Sequence, residues 1–442
     1  MSAATHDREL ESAMPTDPAS QDRERVLDAA HRCVDLLVRT AVIDRAGPTW
    51  PAWELGADGQ ALGVVAGRRS LYDGDAGVVW ALTHLGTALH RPDATELAAS
   101  GARTLLQARP TDLGAPAGLL VGEAGVDLLA RAGDRVAAGW SEGSDLTDGL
   151  AGILLSLARA RRHESHAASI VAELRHRSRK EGWGRSWPDL RLPGDSARPL
   201  CGLAHGASGI AWALVEAAGV WPRVAPAALE LAGEALAWEA SWSDPARGGW
   251  PDLREGDVTW PDLWCHGAAG AGAVRLRLLE LAAAGLDLPW SLDTTRAEAE
   301  MAVQRCGAAM HEATDQAVSH GVDAVAGGWT LCHGAGGPAG VVALAADVFG
   351  VPEHRERAVA AAAAQVRVAP TDPEEWPSGL KGADGDVSLA TGVAGTAMLL
   401  TDLAQPGTVP SLVLLGLGGV RSTGEASALG GRGPGVVAAD RG

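Results

Sequence analysis

Cysteine is scarce in this chain of 442 residues, which has five. They stand far apart at positions 33, 201, 265, 306 and 332, and their number is odd, which argues against a disulfide framework. A reducing, cytoplasmic compartment is expected instead. One tyrosine, Tyr72, and one phenylalanine, Phe349, stand against 16 tryptophans, a skew that reads as genomic composition and carries no function. Lysine is rare and the formal net charge is −18, which argues against nucleic acid or anionic lipid as a partner, since both reward basic clusters. A neutral or cationic peptide remains open. No uninterrupted apolar run is long enough for a membrane span, and Met1 to Arg25 lacks the apolar core of a signal peptide. Alternating runs bounded by turn pairs are also missing, so strands are not expected.

What is present is a large apolar fraction, 46% of residues, and an internal repeat. The phrase Gly-x-x-Gly leading into an apolar helical run recurs at Gly74/Gly77, Gly122/Gly125, Gly149/Gly152, Gly206/Gly209, Gly267/Gly270, Gly334/Gly337 and Gly392/Gly395. Successive first glycines lie 48, 27, 57, 61, 67 and 58 residues apart, room for two helices everywhere except in the 27-residue interval. Between the phrases, 94–108, 166–180, 225–240, 293–312 and 353–367 are amphipathic, as is 26–42 at the start. The pattern predicts an all-α fold of about seven inner/outer helix repeats that close into an α/α toroid, with one end of each inner helix at a central cavity. Residues 1–24 are expected to be a disordered segment, 25–404 the toroid, and 405–442 a poorly ordered Gly-rich tail. The glycines either let crowded inner helices pack or leave helix N-terminal amides open to an axial ligand, and packing is the reading preferred for most.

Chemistry is expected where repeats differ. Just before the first glycine stand Asp73, Val121, Asp148, His205, His266, His333 and Thr391, so three consecutive units put histidine at the same inner-helix mouth. Two of them add a cysteine one residue earlier, giving Cys265-His266-Gly267 and Cys332-His333-Gly334. Thiolate and imidazole are the donors of tetrahedral zinc, and ring closure would bring Cys265, Cys332 and one or both neighbouring histidines to a single ion. His266 is read as an outer neighbour of such an ion, and Cys201, four residues before His205, as a further donor within reach. Buried, inert cysteines are the plainer alternative. Asp145 could cap the helix from Leu150, although Asp148 stands closer to that start.

The motifs Ser-Asp145-Leu-Thr-Asp148-Gly-Leu-Ala-Gly, Gly-Leu-Ala-His205-Gly-Ala-Ser-Gly, Trp-Cys265-His-Gly, Cys332-His333-Gly and Ala-Thr-Gly392-Val-Ala-Gly, in this order, are specific. Over residues 26–404 the chain resembles the lanthionine synthetase C-like proteins, the cyclases of lanthipeptide biosynthesis. The resemblance implies an α-toroid with catalytic Zn2+ on Cys265, Cys332 and His333, His205 as acid/base and Asp145 as its aspartate. The implied reaction adds cysteine thiolates to dehydroalanine or dehydrobutyrine in a precursor peptide of leader and core. It also implies a dehydratase or kinase/lyase as partner, since the chain carries no such region and reads as a stand-alone cyclase. Where some members carry an arginine upstream of Trp264, this sequence reads Trp260-Pro-Asp262-Leu, which leaves that arginine without a counterpart.

Alternatives keep the same residues. A glutathione-type thiol could be added to dehydrated residues without ring closure, or zinc saturated by protein ligands could hold a non-catalytic peptide scaffold. A toroidal glycosidase needs two opposed carboxylates and would leave both Cys-His-Gly units unexplained.

Overall fold

A computed structural model of the protein describes residues 17–56, 60–108, 116–130, 134–136, 139–191, 198–254 and 258–417. In chain order its helices are α1 (Pro18–Arg39), α2 (Asp75–Ala88), α3 (Pro92–Gln107), α4 (Glu123–Ala130), α5 (Leu150–Ala160), α6 (Glu164–Arg177) and α7 (Ala207–Val220). They continue as α8 (Ala225–Ala240), α9 (Ala268–Ala283), α10 (Leu292–His320), α11 (Gly336–Phe349), α12 (Pro352–Val368) and α13 (Val393–Ala404). The fold is the α/α toroid. Helices α2, α4, α5, α7, α9, α11 and α13 form the inner layer, each against the next, and α13 closes on α2. Burial separates the layers. In α7 every residue from Ala207 to Ala218 is buried, whereas α3 buries only Ala94, Ala98, Gly101 and Leu105, one stripe at helical spacing.

Outer helices α3, α6, α8, α10 and α12 stand where amphipathic periodicity predicts them, and α1 packs on α13 to complete the last unit. The short second interval has no outer helix among the described residues. Arg135 spans part of that gap, its guanidinium reaching Glu123 and the carbonyls of Leu105, Leu106 and Ala108.

The seven inner-helix mouths share one loop. The amide just after each first glycine, at or beside the start of the helix, is taken by the carbonyl seven positions back in its own loop, as in Asp75/Arg68, Glu123/Pro116, Leu150/Gly143, Ala207/Leu200, Ala268/Pro261, Ala335/Gly328 and Val393/Asp386. These amides are therefore not open to an axial ligand. A side chain on the second glycine has no room either. A Cβ on Gly152 would lie 2.3 Å from Leu146 O and 2.8 Å from the Leu119 Cβ of the preceding unit, and Gly125 meets Leu119 O and Leu71 in the same way. Five of the seven units, those of Gly77, Gly125, Gly152, Gly209 and Gly270, thus take a leucine of the preceding unit against the glycine, and Gly337 takes Trp264 in the same place, which is the packing reading.

Loops are also tied to one another. Tyr72 N donates to Leu120 O at 2.8 Å, Leu120 N to Thr147 O at 2.9 Å, Thr147 N to Ala204 O at 3.2 Å and Ala204 N to Cys265 O at 3.1 Å. On the far side Cys332 N donates to Ala390 O at 2.9 Å and Ala390 N to Tyr72 O at 3.0 Å. Between Cys265 and Cys332 a thiol replaces the amide: Cys265 Sγ faces Cys332 O at 3.8 Å. All seven residues hold the same repeat register, two before the first glycine.

Three expectations are corrected. Residues 18–24 are not disordered but open α1, capped by Asp17 with Pro18 in the first turn. Residues 1–16 lie outside the described residues. In the tail, Leu412–Leu414 form a buried 3-10 turn against α9 and α11, and Trp264 Nε1 donates to Val413 O at 2.9 Å; residues 418–442 lie outside the described part. Finally, short antiparallel hairpins pair 42–43 with 48–49, 52–55 with 61–65, and 179–181 with 184–186, too brief to leave an alternating pattern.

Gly209→Ala in α7 would set a Cβ 2.0 Å from Leu203 O and should cost about 1–3 kcal/mol in a denaturant titration. At the exposed end of the same helix, Gly219→Ala meets only Leu286 at 4.0 Å and should stabilise by about 0.5–1 kcal/mol.

Candidate active site and metal centre

Ring closure brings the distant Cys-His-Gly loops together. One ligand atom each from Cys265, Cys332 and His333 lie within 4.8 Å of one another. His333 Nδ1 donates to Gly379 O at 2.9 Å, which commits the ring proton to that nitrogen and leaves the Nε2 lone pair for a cation. The neighbouring Cys332 sulfur, followed by burial, pushes the Cys265 thiol well above its ordinary range. A thiol that resists ionisation beside a second sulfur and an imidazole is a donor that a cation would satisfy. A tetrahedral thiophilic ion with bonds of about 2.0–2.3 Å needs donors about 3.5–4 Å apart, so the set fits such an ion. Among the described residues neither Cys201 nor His266 belongs to this group. Cys201 is buried beside Glu239 and Arg275.

The loop before Cys265 carries His205. Asp145 Oδ2 lies 2.7 Å from His205 Nδ1, and Arg191 Nη1 lies 2.7 Å from His205 Nε2. A guanidinium can only donate, so Nε2 holds the lone pair and Nδ1–H donates to Asp145. Burial pushes Asp145 up, but the hydrogen bonds from His205 and from the Asp148 amide outweigh it and hold the carboxyl below the usual range. The other oxygen, Asp145 Oδ1, accepts from the amides of Asp148 and Gly149 at 3.0 and 3.1 Å. Asp145, not Asp148, therefore organises the turn into α5. Burial and the adjacent Asp145 push Asp148 up to about 6.

His266 stacks on His205 with ring centroids 5.8 Å apart, and its buried Nδ1 has no hydrogen-bond partner among the described residues. Burial and nearby Arg254 push it down to about 3, so it is neutral. Beside His205 opens a cavity of about 230 Å³ lined by Asp145, Asp148, Trp187, Asp189 and Arg191.

Beneath the His205 loop runs a buried ion pair. Glu239 Oε1 accepts from the amides of Gly202 and Ser208 at 2.7 and 3.1 Å, and Glu239 Oε2 meets Arg275 Nη1 at 2.6 Å. Arg275 also bonds Glu298 and lies over the Trp250 ring, 4.6 Å from its centroid.

A family model described as lanthionine synthetase C-like protein matches residues 63–414. The chain belongs to the lanthionine synthetase C-like family. Among solved structures it is similar to nisin cyclase, with a TM-score of 0.54 and 16% identity over 77% of this chain and 89% of that one. A structure named as a possible member of the GH105 family from Klebsiella pneumoniae aligns with a TM-score of 0.43 and 14% identity, over 91% of this chain and 98% of that one. No curated protein sequence matches the chain.

Two contributors escape a reading by motif. Tyr72 is half-buried, and desolvation together with the Cys332 and Cys265 sulfurs pushes its phenol well up. Its signal in the sequence was register, since the lone tyrosine holds in its unit the place of Cys265 and Cys332. Arg191 ends Trp187-Pro-Asp189-Leu-Arg191, a pentapeptide repeated as Trp250-Pro-Asp252-Leu-Arg254.

Asp148 has a folded pKa near 6, above its unfolded value, so its favourable contribution is present at low pH and lost as pH rises through 6. Asp148→Asn should match wild-type stability at pH 4 and exceed it at pH 7, as read from urea midpoints at the two pH values.

Proposed function

We propose that this protein is a zinc-dependent lanthionine synthetase, a cyclase that adds cysteine thiolates to dehydroalanine or dehydrobutyrine in a ribosomally made precursor peptide. The observation that carries this reading is the meeting, at one rim of the ring, of a Cys–Cys–His donor set with a carboxylate-held imidazole. Family membership and the toroid shared with nisin cyclase support it. Cys265, Cys332 and His333 would hold the ion, and three protein donors leave a position for a substrate thiol. A Zn2+ ion held by these residues would supply Lewis acidity, lowering the pKa of an incoming thiol from its ordinary value of about 8.5.

The chain's own residues manage the proton. With Nδ1 committed to Asp145, Nε2 is the ring nitrogen left for exchange. It takes the proton given up by the thiol and returns it to the substrate α-carbon once sulfur has bonded to the β-carbon. Asp145, ionised by its contact with His205, orients the imidazole and stabilises it when protonated. Glu239, fixed by Arg275, holds the amides on both sides of His205 and keeps that loop beside Cys265. The cavity next to Nε2 accommodates the dehydrated residue. A cytoplasmic enzyme fits five free cysteines, and no described helix is long and apolar enough to cross a membrane. The dehydrated substrate calls for a dehydratase or a kinase/lyase acting beforehand.

Metal analysis and a dehydrated cysteine-containing peptide test the reading. Ring closure leaves mass unchanged and is counted by the loss of alkylatable thiols. Cys332→Ala should lose the metal. His205→Ala should retain zinc and helix content while turnover falls about 10²–10⁴-fold. A His205 variant with wild-type rate would remove the acid/base role, and adducts of added glutathione without rings would redirect the reading to intermolecular thiol addition.

A further inference from the structure

The repeated pentapeptide builds one device twice. In each copy the aspartate accepts from the arginine amide two residues on: Asp189 Oδ1 from Arg191 N at 3.0 Å, and Asp252 Oδ1 from Arg254 N at 3.0 Å. The same carboxylate grips the guanidinium, with Arg191 Nη2 2.5 Å from Asp189 Oδ2 and Arg254 Nη2 2.6 Å from Asp252 Oδ2. The leading tryptophans are anchored, Trp187 by donating to Leu174 O at 2.7 Å and Trp250 by full burial beneath Arg275. A third copy, Trp260-Pro-Asp262-Leu-Trp264, has no arginine of its own, and its aspartate is satisfied by Arg305 of α10. The loop therefore folds without that arginine, so Arg191 is not explained by the turn it ends.

Arg191 is forked onto a nearly buried carboxylate and turns its remaining nitrogen, Nη1, to His205 Nε2 at 2.7 Å on the wall of the cavity. That contact holds only while Nε2 carries its lone pair. Once His205 takes a proton at Nε2, two N–H donors face one another and Arg191 needs a different acceptor. The substrate brings one. In a dehydroamino residue the carbonyl oxygen lies about 2.4 Å from the α-carbon, as bond lengths of 1.52 and 1.23 Å require. Two donors roughly 3 Å apart can thus address both atoms at once, Nε2–H at the α-carbon and Nη1–H at the oxygen.

We propose that Arg191 is a catalytic residue that hydrogen-bonds the carbonyl oxygen of the dehydroalanine or dehydrobutyrine residue and stabilises the enolate formed on addition. This rests on the cyclase reading. The thiolate pair forms the bond to the β-carbon, the carbon–carbon π pair shifts toward the carbonyl as the enolate, and the proton taken from the thiol returns from Nε2 to the α-carbon. Arg191 exchanges no proton, because a guanidinium stays charged throughout the range of the reaction. It acts as a fixed donor at the site of developing charge, a role whose removal costs about 10²–10³-fold in kcat.

The test compares wild type, Arg191→Gln, Arg191→Lys and Arg191→Ala as full-length, metal-loaded proteins on a dehydrated peptide. The expected result is unchanged zinc and circular dichroism for Arg191→Gln, kcat lower by about 10²–10³-fold with KM moved far less, and partial recovery for Arg191→Ala on adding guanidinium ion. Nitrogen NMR on labelled His205 adds a readout independent of turnover: N-acetyl-dehydroalanine methylamide should shift the Nε2 resonance in wild type and not in Arg191→Gln. Thioether formation by Arg191→Gln at the wild-type kcat, with wild type active, would overturn this assignment alone. A wild type that forms no thioether would overturn it together with the cyclase reading.

Discussion

The closed circuit of loop-to-loop hydrogen bonds is the constraint on which the molecule depends. Each bond is worth only about 1 kcal/mol net, so the circuit matters less as a sum of energies than as a register lock. Because Leu120 donates to Thr147, Thr147 to Ala204 and Ala204 to Cys265, every loop stands at one height on the ring. The residue after each link then projects at the same rim, which is how His205, His266 and His333 come to share a site across more than a hundred positions of chain. The glycine–leucine seats below the loops serve the same end. They set the spacing between inner helices at backbone-to-Cβ contact and leave no tolerance for a shifted unit.

A buried charge pair refines that lock where the proposed proton transfer takes place. Glu239 and Arg275 have fully buried side chains, a costly placement unless each is well satisfied, and Glu239 spends its oxygens on two amides, a serine hydroxyl and the guanidinium. Those amides, of Gly202 and Ser208, bracket His205. Arg275 in turn lies against Trp250, the first residue of the second Trp-Pro-Asp-Leu-Arg loop. One interior ion pair thus joins the His205 loop to the loop that carries Arg254, and the rim behaves as a unit.

Much of this was legible in sequence because the fold repeats. Seven Gly-x-x-Gly phrases reveal seven inner helices, and reading the two residues before each first glycine foretells that Cys265, Cys332, His333 and His205 share one end of the ring. Contacts that follow no repeat were out of reach. That Asp145 rather than Asp148 organises the α5 turn depends on a side chain choosing between two neighbouring amides and an imidazole, and spacing does not decide it. Leu412–Leu414 read as a stray apolar piece because their partners, Trp264 and the inner helices, are distant in the chain. Helix α1 begins among polar residues because its buried stripe starts only at Val26, while Asp17 and Pro18 set its true start. Tyr72 and Arg191 were hidden for opposite reasons, one being a single residue and the other lying in a repeat outside the glycine phrases.

One joint of the ring differs from the others. Where neighbouring loops are joined by amide and carbonyl, Cys265 and Cys332 are joined through a thiol, and among the described residues no backbone bond links them. An amide bond tolerates little stretching, whereas a sulfur on a rotatable side chain can swing through several tenths of an ångström at small cost. The perimeter is therefore stiff around most of its length and compliant at one seam, and the seam is where the three donors meet. Adjustments of donor spacing can be absorbed there locally, leaving the positions of His205 and Asp145 unmoved.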